Sequence, residues 1–406
     1  MTDSAQLPAA QDRPPSLGEL IDRSAVLKRG LVQYVQGPRF DRKLTAALLE
    51  AAGTDRSLEE STAVSVIDQF ALQHRLPDGR TPVERYADAR KDLSRVERQM
   101  LLGWTDVVEG VFEIRAKGGD ALVLLNLIDD LEYRTYSNMG RKAFRGMSRG
   151  GFVIGRLVPI APYPGTWLVS GGIASFRKAD GPQIAQLALE AAAEHPALVF
   201  RNPDKIAQGW EQMHRDREAF IACFGADQVV LPPADAQERI DVFHRHRWQA
   251  TRPEAGKHDP TEPFPAHLSF RLPEDLQAAD TIGIIYDATE GMNLYRDYGL
   301  LDALYTDPAL TSSRRHTDLL RSYLRDTSIS PLPFQRLAEA HPDTVDTVIS
   351  KVLRKPGSTW TEHGEAWLRR RKAEFYEREP RPGVSVIGDR LAELAATAAD
   401  PRPLLP

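Results

Sequence analysis

The stretch Val107-Val108-Glu109-Gly110-Val111-Phe112-Glu113-Ile114, followed across Lys117-Gly118-Gly119-Asp120 by Ala121-Leu122-Val123-Leu124-Leu125-Asn126-Leu127-Ile128, decides the fold class. Branched and aromatic side chains crowd both runs, and such side chains suit a pleated surface. The Gly-Gly-Asp between them is hairpin chemistry, because glycine reaches backbone conformations closed to other residues. Three further runs of the same kind lie at 131–136, 152–160 and 167–176, with a long loop at 137–151 between the first two of these. Five short strands joined this way predict an SH3-like or OB-like barrel, a shape that serves many unrelated partners. Phe112, Ile114, Leu122, Leu124 and Ile154 are expected on its inward face.

On both sides of the strands the apolar spacing is helical. Ser16-x-x-Glu19, Ser57-x-x-Glu60 and Ser94-x-x-Glu97 are capping boxes, in which hydroxyl and carboxylate satisfy backbone N–H groups that a first helical turn leaves unpaired. Leu17, Leu20, Ile21, Leu27 and Leu31 repeat with the helical period, as do Val64, Ile67, Phe70 and Ala71. The reading in order is therefore a loose tail over 1–15, a domain of four helices over 16–103 and the barrel over 104–178. A helical connector over 179–250 and a proline-rich linker over 251–265 lead to a C-terminal α+β domain over 266–406. In that last domain, 268–272, 281–287 and 292–298 predict a small antiparallel sheet among helices. The fold class is α+β, mostly helical.

The 406 residues carry 42% apolar side chains, enough to bury more than one core. Lys plus Arg number 52 against 57 for Asp plus Glu, so the net charge of −5 exerts no global pull toward nucleic acid or an acidic membrane. A polyanion must be met by a local patch. The lone Cys223 closes no internal disulfide and builds no Cys-based zinc site, and it reads as a small buried hydrophobe. Neither a leader-type N-terminal stretch nor a run long enough to span a bilayer is present, so a cytoplasmic location without membrane attachment is expected.

The order Leu76-Pro77-Asp78-Gly79-Arg80-Thr81, then Trp104 with Val111-Phe112-Glu113-Ile114, then Gly155-Arg156-Leu157-Val158-Pro159 and Leu168-Val169-Ser170-Gly171-Gly172, resembles the body of bacterial SEC-C motif-containing proteins and their uncharacterised actinobacterial relatives. The resemblance covers about a quarter of the chain. It implies a helical-plus-barrel scaffold and no catalytic residues. The Cys-rich zinc knuckle that names the family, which contacts the secretion ATPase or the ribosome, is absent from a chain with one cysteine.

Two constellations carry most of the chemistry. Arg141, Lys142, Arg145 and Arg149 lie in the long loop with Phe144 and no acidic residue, a pattern suited to phosphate contacts and base stacking. His244, His246, His258, Asp259, Glu262 and His267 bring four of the ten histidines into one stretch with carboxylates, donors that suit zinc. Against the metal reading, Arg245 and Arg247 interleave with the first two histidines, and residues two apart diverge on a helix. Weaker features are a helix pair at 333–353, the basic run 369–372 among glutamates, and Asp280, Asp287, Glu290 and Asp297 around the second hairpin. Gly150-Gly151 and Gly171-Gly172 are read as points where the barrel bends.

The function expected is a cytoplasmic interaction protein whose barrel binds a macromolecular partner, nucleic acid or another protein, with no catalysis and no cofactor. The competing expectation is a metal-dependent hydrolase using zinc at 244–267.

Overall fold

The computed structural model describes residues 15–53, 58–250, 270–353 and 357–397. The chain divides into two compact units, Met1–Lys205 with Val386–Pro406, and Ile206–Ser385. The expected connector at 179–250 is thus shared between them.

The first unit begins with α1 (Leu17–Val35), α2 (Asp41–Ala52), α3 (Glu60–Gln73), α4 (Pro82–Ala89) and α5 (Arg95–Gly103). The boxes at Ser16 and Ser94 form as expected, whereas Ser57 lies outside the described residues. A further box, Thr81 with Glu84 and Pro82 behind the cap, starts α4 directly after the Pro77-Asp78-Gly79 turn, which makes five helices where four were expected. Leu20, Leu27, Leu31 and Val35 form the buried stripe of α1 and share one core with Phe70, Trp104, the sheet residues Val158 and Leu168, and Ile160 just after the fourth strand.

Strands β1 (Val108–Gly118), β2 (Ala121–Asn126), β3 (Glu132–Tyr136), β4 (Phe152–Pro159) and β5 (Thr166–Phe176) make a five-stranded mixed sheet. Pairing runs β1-β2-β3-β5-β4, β4 also pairs with β1, and only β3 with β5 is parallel. Phe112, Ile114, Leu122 and Leu124 face one core with Tyr133, Val153 and Leu157. Ile154 does not join them. It packs on the opposite face with Val111, Leu125 and Phe152, beneath α6 (Gly181–Glu194). Three apolar residues in a row, Phe152-Val153-Ile154, mean that β4 is covered on both faces, so alternation in the sequence has no phase to read.

After α7 (Pro203–Phe224) the second unit builds an antiparallel sheet of β6 (Gln228–Leu231), β7 (Ile282–Asp287) and β8 (Gly291–Arg296). The hairpin of β7 and β8 is where the sequence placed it. The third strand is not: residues 270–272 pair with no strand, and the short Val229-Val230-Leu231 run takes the free edge of β7. Helices α8 (Pro233–Ala250), α9 (Glu274–Gln277), α10 (Tyr298–Thr306), α11 (Arg314–Arg325), α12 (Leu332–Ala340), α13 (Val345–Leu353), α14 (Trp360–Arg371) and α15 (Ala373–Glu377) complete this unit. Among the described residues no helix is long and apolar enough to cross a membrane.

The last helix, α16 (Asp389–Ala396), belongs to the first unit, where Leu391 and Leu394 pack with α6. Its Arg390 grips the buried Glu113 of β1 with two hydrogen bonds of 2.8 and 2.9 Å. Such forked pairs are among the stronger polar contacts.

A polar knot ties the turn after β2 to both neighbouring segments. Asp129 Oδ2 accepts from Tyr133 Oη at 2.6 Å and Asn126 Nδ2 at 3.0 Å, and Oδ1 accepts from Leu131 N at 2.9 Å. Asn202 Nδ2 donates to the Asp129 carbonyl, and Lys205 pairs with Asp130 at 3.2 Å. Gly110 makes the room, since a Cβ there would lie 2.7 Å from the Asn126 amide. Burial pushes the Asp129 carboxyl up from 3.8 to about 6, against the opposing pull of Tyr133 and Leu131.

Two outcomes follow from this packing. Phe112 is 0% exposed, so Phe112→Ala should cost about 3–5 kcal/mol in denaturant unfolding, and a loss under about 1 kcal/mol would contradict its place in the core. Because Asp129 binds its proton more tightly folded than unfolded, the stability it contributes is present below about pH 4 and lost as pH rises through about 6. The stability difference between wild type and Asp129→Asn should therefore fall by roughly 3 kcal/mol from acid to neutral pH. A difference flat with pH would refute this.

Candidate functional site

Residues 137–151 start at Ser137, whose Oγ accepts from Met139 N at 3.2 Å. Gly140, with φ of +61°, reverses the chain into a 3₁₀ turn over Gly140–Phe144. The segment leaves through backbone bonds to Ile114, with Gly150 N donating to Ile114 O and Ile114 N donating to Gly151 O, both at 2.9 Å. Its middle is held by one cation. Lys117 Nζ, from the end of β1, donates to the carbonyls of Phe144 at 2.5 Å and Met147 at 3.1 Å.

Phe144 is buried in the core inside the sheet with Phe112 and Tyr133. Its ring therefore offers no face to a base, and the stacking role expected of it is replaced by a packing one. Arg141, Lys142 and Arg145 are exposed around it. Arg141, 75% exposed, pairs with Asp120 of the β1–β2 turn, so the turn and the long loop form one basic end of the sheet. Lys142 and Arg145 have no ion-pair partner among the described residues. Segments 117–120 and 137–151 together hold Lys117, Arg141, Lys142, Arg145 and Arg149 against the single carboxylate of Asp120. Sequence reasoning passed over Lys117 and Asp120, whose position in a hairpin gave no sign that a distant loop lies against it.

Arg149 has a second setting. It lines a cleft of about 700 Å³ with Arg115, Lys178 and Arg390, where Glu113, Asp130, Asp389 and Glu393 balance the charge. Next to the basic end, Arg134 lies over the Tyr136 ring at 5.8 Å and donates to its hydroxyl at 2.8 Å. Arg134 is exposed, whereas Tyr136 is half-buried and packs against the helical core, so the flat surface this pair offers is the guanidinium plane.

The histidine stretch is only partly visible. His244 and His246 both stand on α8, His244 half-buried against Phe270 and His246 exposed, so they point apart as residues two apart on a helix must. Burial, and then the Arg247 charge, push the His244 imidazole below its ordinary pKa. His258, Asp259, Glu262 and His267 lie outside the described residues. Among the described residues no group of three or more His, Cys, Asp or Glu side chains is placed to hold a metal ion.

The four hairpin carboxylates are each occupied locally. Asp287 Oδ1 accepts from Thr289 N and Oγ1, Asp297 Oδ1 accepts from Asp280 N, and Asp280 pairs with Arg315. Glu290, beside Ser330, and Asp297 also line a groove of the second unit. The helix pair α12 and α13 buries Phe334, Leu337, Val348, Ile349 and Val352 in the core of its unit, and Asp346 accepts the Trp360 N–H. It is a packing pair.

A polar cluster invisible in the sequence joins α1, α3 and β5. Lys28 Nζ donates to Ser170 Oγ at 2.6 Å and pairs with Asp68 at 2.5 Å, while Ser170 Oγ lies 2.9 Å from Asp68 Oδ2. Gly171, at φ +68°, lets the strand turn against Asp68. A serine beside a lysine is a nucleophile–base pairing in principle. Here Ser170 is 2% exposed and the ammonium is taken by Asp68, so the cluster ties helices to sheet instead of meeting a substrate. No protein-family model, curated protein or solved structure matches the chain.

Replacing Lys117 by Met should release the backbone of the segment, whose basic side chains are already exposed, and so open it to trypsin. Loss of two charge-assisted bonds worth about 1.5 kcal/mol predicts cleavage after Arg141, Lys142 or Arg145 at least about tenfold faster. An unchanged cleavage pattern would show that Lys117 does not hold the segment.

Proposed function

We propose that the first unit is a macromolecule-binding module without catalysis, in which an OB-like barrel holds single-stranded nucleic acid against the basic end formed by 117–120 and 137–151. The observation that carries the reading is the joining of these two segments by Lys117 and by the Arg141–Asp120 pair, which gathers Lys117, Arg141, Lys142 and Arg145 around one carboxylate, with Arg149 at the edge of the neighbouring charge-balanced cleft. The strand order supports the barrel: β1-β2-β3-β5-β4 with a parallel β3–β5 step is the Greek-key order of an OB-like fold, and it favours that form over an SH3-like one. Small barrels of this kind bind oligonucleotides over strands 2 and 3 and the adjoining β1–β2 loop. In this chain the β1–β2 turn is part of the basic end.

Cations contact phosphates, and flat side chains accept bases. Arg141, Lys142 and Arg145 fill the first role, Arg149 extends it toward Lys178, and the exposed guanidinium of Arg134, held over the half-buried Tyr136 at the end of β3, fills the second. The charge of the whole chain is −5, so attraction is confined to this patch and binding is modest and strongly salt-dependent.

Fluorescence anisotropy with mixed-sequence single-stranded RNA and DNA tests the reading. Affinity should fall between about 50 and about 200 mM salt, because neutralised phosphates release counterions. Changing Arg141, Lys142, Arg145 and Arg149 together to Ser should weaken binding and lower the salt slope by roughly 2–3, at about 0.7 per phosphate contact on a single strand. Arg134→Ala should weaken binding with a smaller change in slope. Absence of binding at low salt, or binding indifferent to the fourfold change, would remove nucleic acid from the account and leave a protein partner.

A further inference from the structure

The second unit contains a groove of about 1710 Å³ bounded by α9, β8, α11 and the segment 374–383. Small-molecule pockets measure about 300–1,000 Å³, so a groove of this size suits an extended chain better than a compact ligand. Seven carboxylates and four arginines line it. The arginines are largely spent: Arg296 pairs with Asp297 at 3.4 Å, Arg315 with Asp280, and Arg381 with Glu379 at 3.6 Å. Arg378 lies over the Phe375 ring at 4.4 Å. By contrast, Asp275 and Glu374 at the rim have no ion-pair partner among the described residues.

The floor carries a second sign of an absent polar group. The Tyr376 hydroxyl is out of solvent and has no hydrogen-bond partner, which is costly unless something else meets it. Glu290 lies half-buried in the same groove beside Ser330 and Tyr295. Burial leaves its carboxyl above the ordinary glutamate range, with Asp287 adding to the rise and the Ser330 hydroxyl and the Arg378 charge of the same groove only partly opposing it. A cation seated there would offset that penalty and give Tyr376 a donor to accept from.

We propose that this groove binds a basic peptide segment, with one Lys or Arg side chain reaching Glu290 and Tyr376 on the floor while further basic residues meet Asp275 and Glu374 at the rim. The charge complementarity is local to the second unit. The proposal is independent of the nucleic-acid reading, whose residues all lie in the first unit.

The probe is a fluorescein-labelled oligoarginine peptide, with an oligoglutamate peptide of equal length beside it, titrated with the full chain at low salt. Oligoarginine should bind and oligoglutamate should not. Glu290→Gln should weaken oligoarginine at least about tenfold, equivalent to about 1.4 kcal/mol. The rim pair Asp275→Asn with Glu374→Gln should weaken it several-fold, and thermal melts should match wild type for whichever variant is interpreted. Glu339→Gln with Asp343→Asn, exposed acids outside the groove, should bind as wild type does. No oligoarginine binding, or equal weakening by the groove and control variants, would overturn the proposal.

Discussion

Burial of Phe144 is the constraint on which the basic surface of the first unit depends. A phenylalanine ring taken from water contributes about 1.5–3 kcal/mol, enough to draw a glycine-rich loop of otherwise polar character down onto the sheet. Once the ring sits beside Phe112 and Tyr133, its flanking residues have nowhere to go but outward. Arg141, Lys142 and Arg145 are charged and remain in solvent, and Lys117 closes the arrangement by taking the carbonyls that the turn leaves open. Packing thereby concentrates charge. The same aromatic residue that seemed suited to touch a base is the one that positions the groups able to touch a phosphate.

The rest of the first unit is held by buried polar contacts between segments distant in sequence. Glu113 meets Arg390, Asp130 meets Lys205, and Asp68 meets Lys28 and Ser170. Each links elements distant in sequence, and Glu113, Lys205 and Asp68 each keep a second polar contact, to Arg115, the Ile387 carbonyl and Ser170 respectively. A buried pair adds little net stability but makes its own disruption expensive. Through Glu113 and α16 the C-terminal segment is tied to the same strand whose end presents Lys117.

Local chemistry was legible in the sequence, and long-range partnership was not. The strands of 106–176 appear within a residue or two of their expected places at most ends because their turns carry glycine or proline, and the boxes at Ser16 and Ser94 cap the helices they foretold. The side of the sheet taken by Ile154 was not legible, since β4 is apolar on both faces. Nor was the third strand of the second sheet, where a four-residue run is too short to show a period. Four of the five residues named for the basic site are on the surface, and Phe144 is inside. Lys117 and the Lys28, Asp68 and Ser170 cluster depend on contacts across 27 to 142 positions, a distance over which no spacing rule operates.

The central claim is that segments 117–120 and 137–151 form one surface that receives a single strand. Amide hydrogen exchange read by mass spectrometry, with and without a saturating mixed-sequence oligonucleotide, tests it most directly. The account predicts slowed exchange in peptides covering both segments and the end of β3, with 206–385 unchanged. Slowing confined to the second unit, or none in 137–151 under conditions where the oligonucleotide is bound, would contradict it.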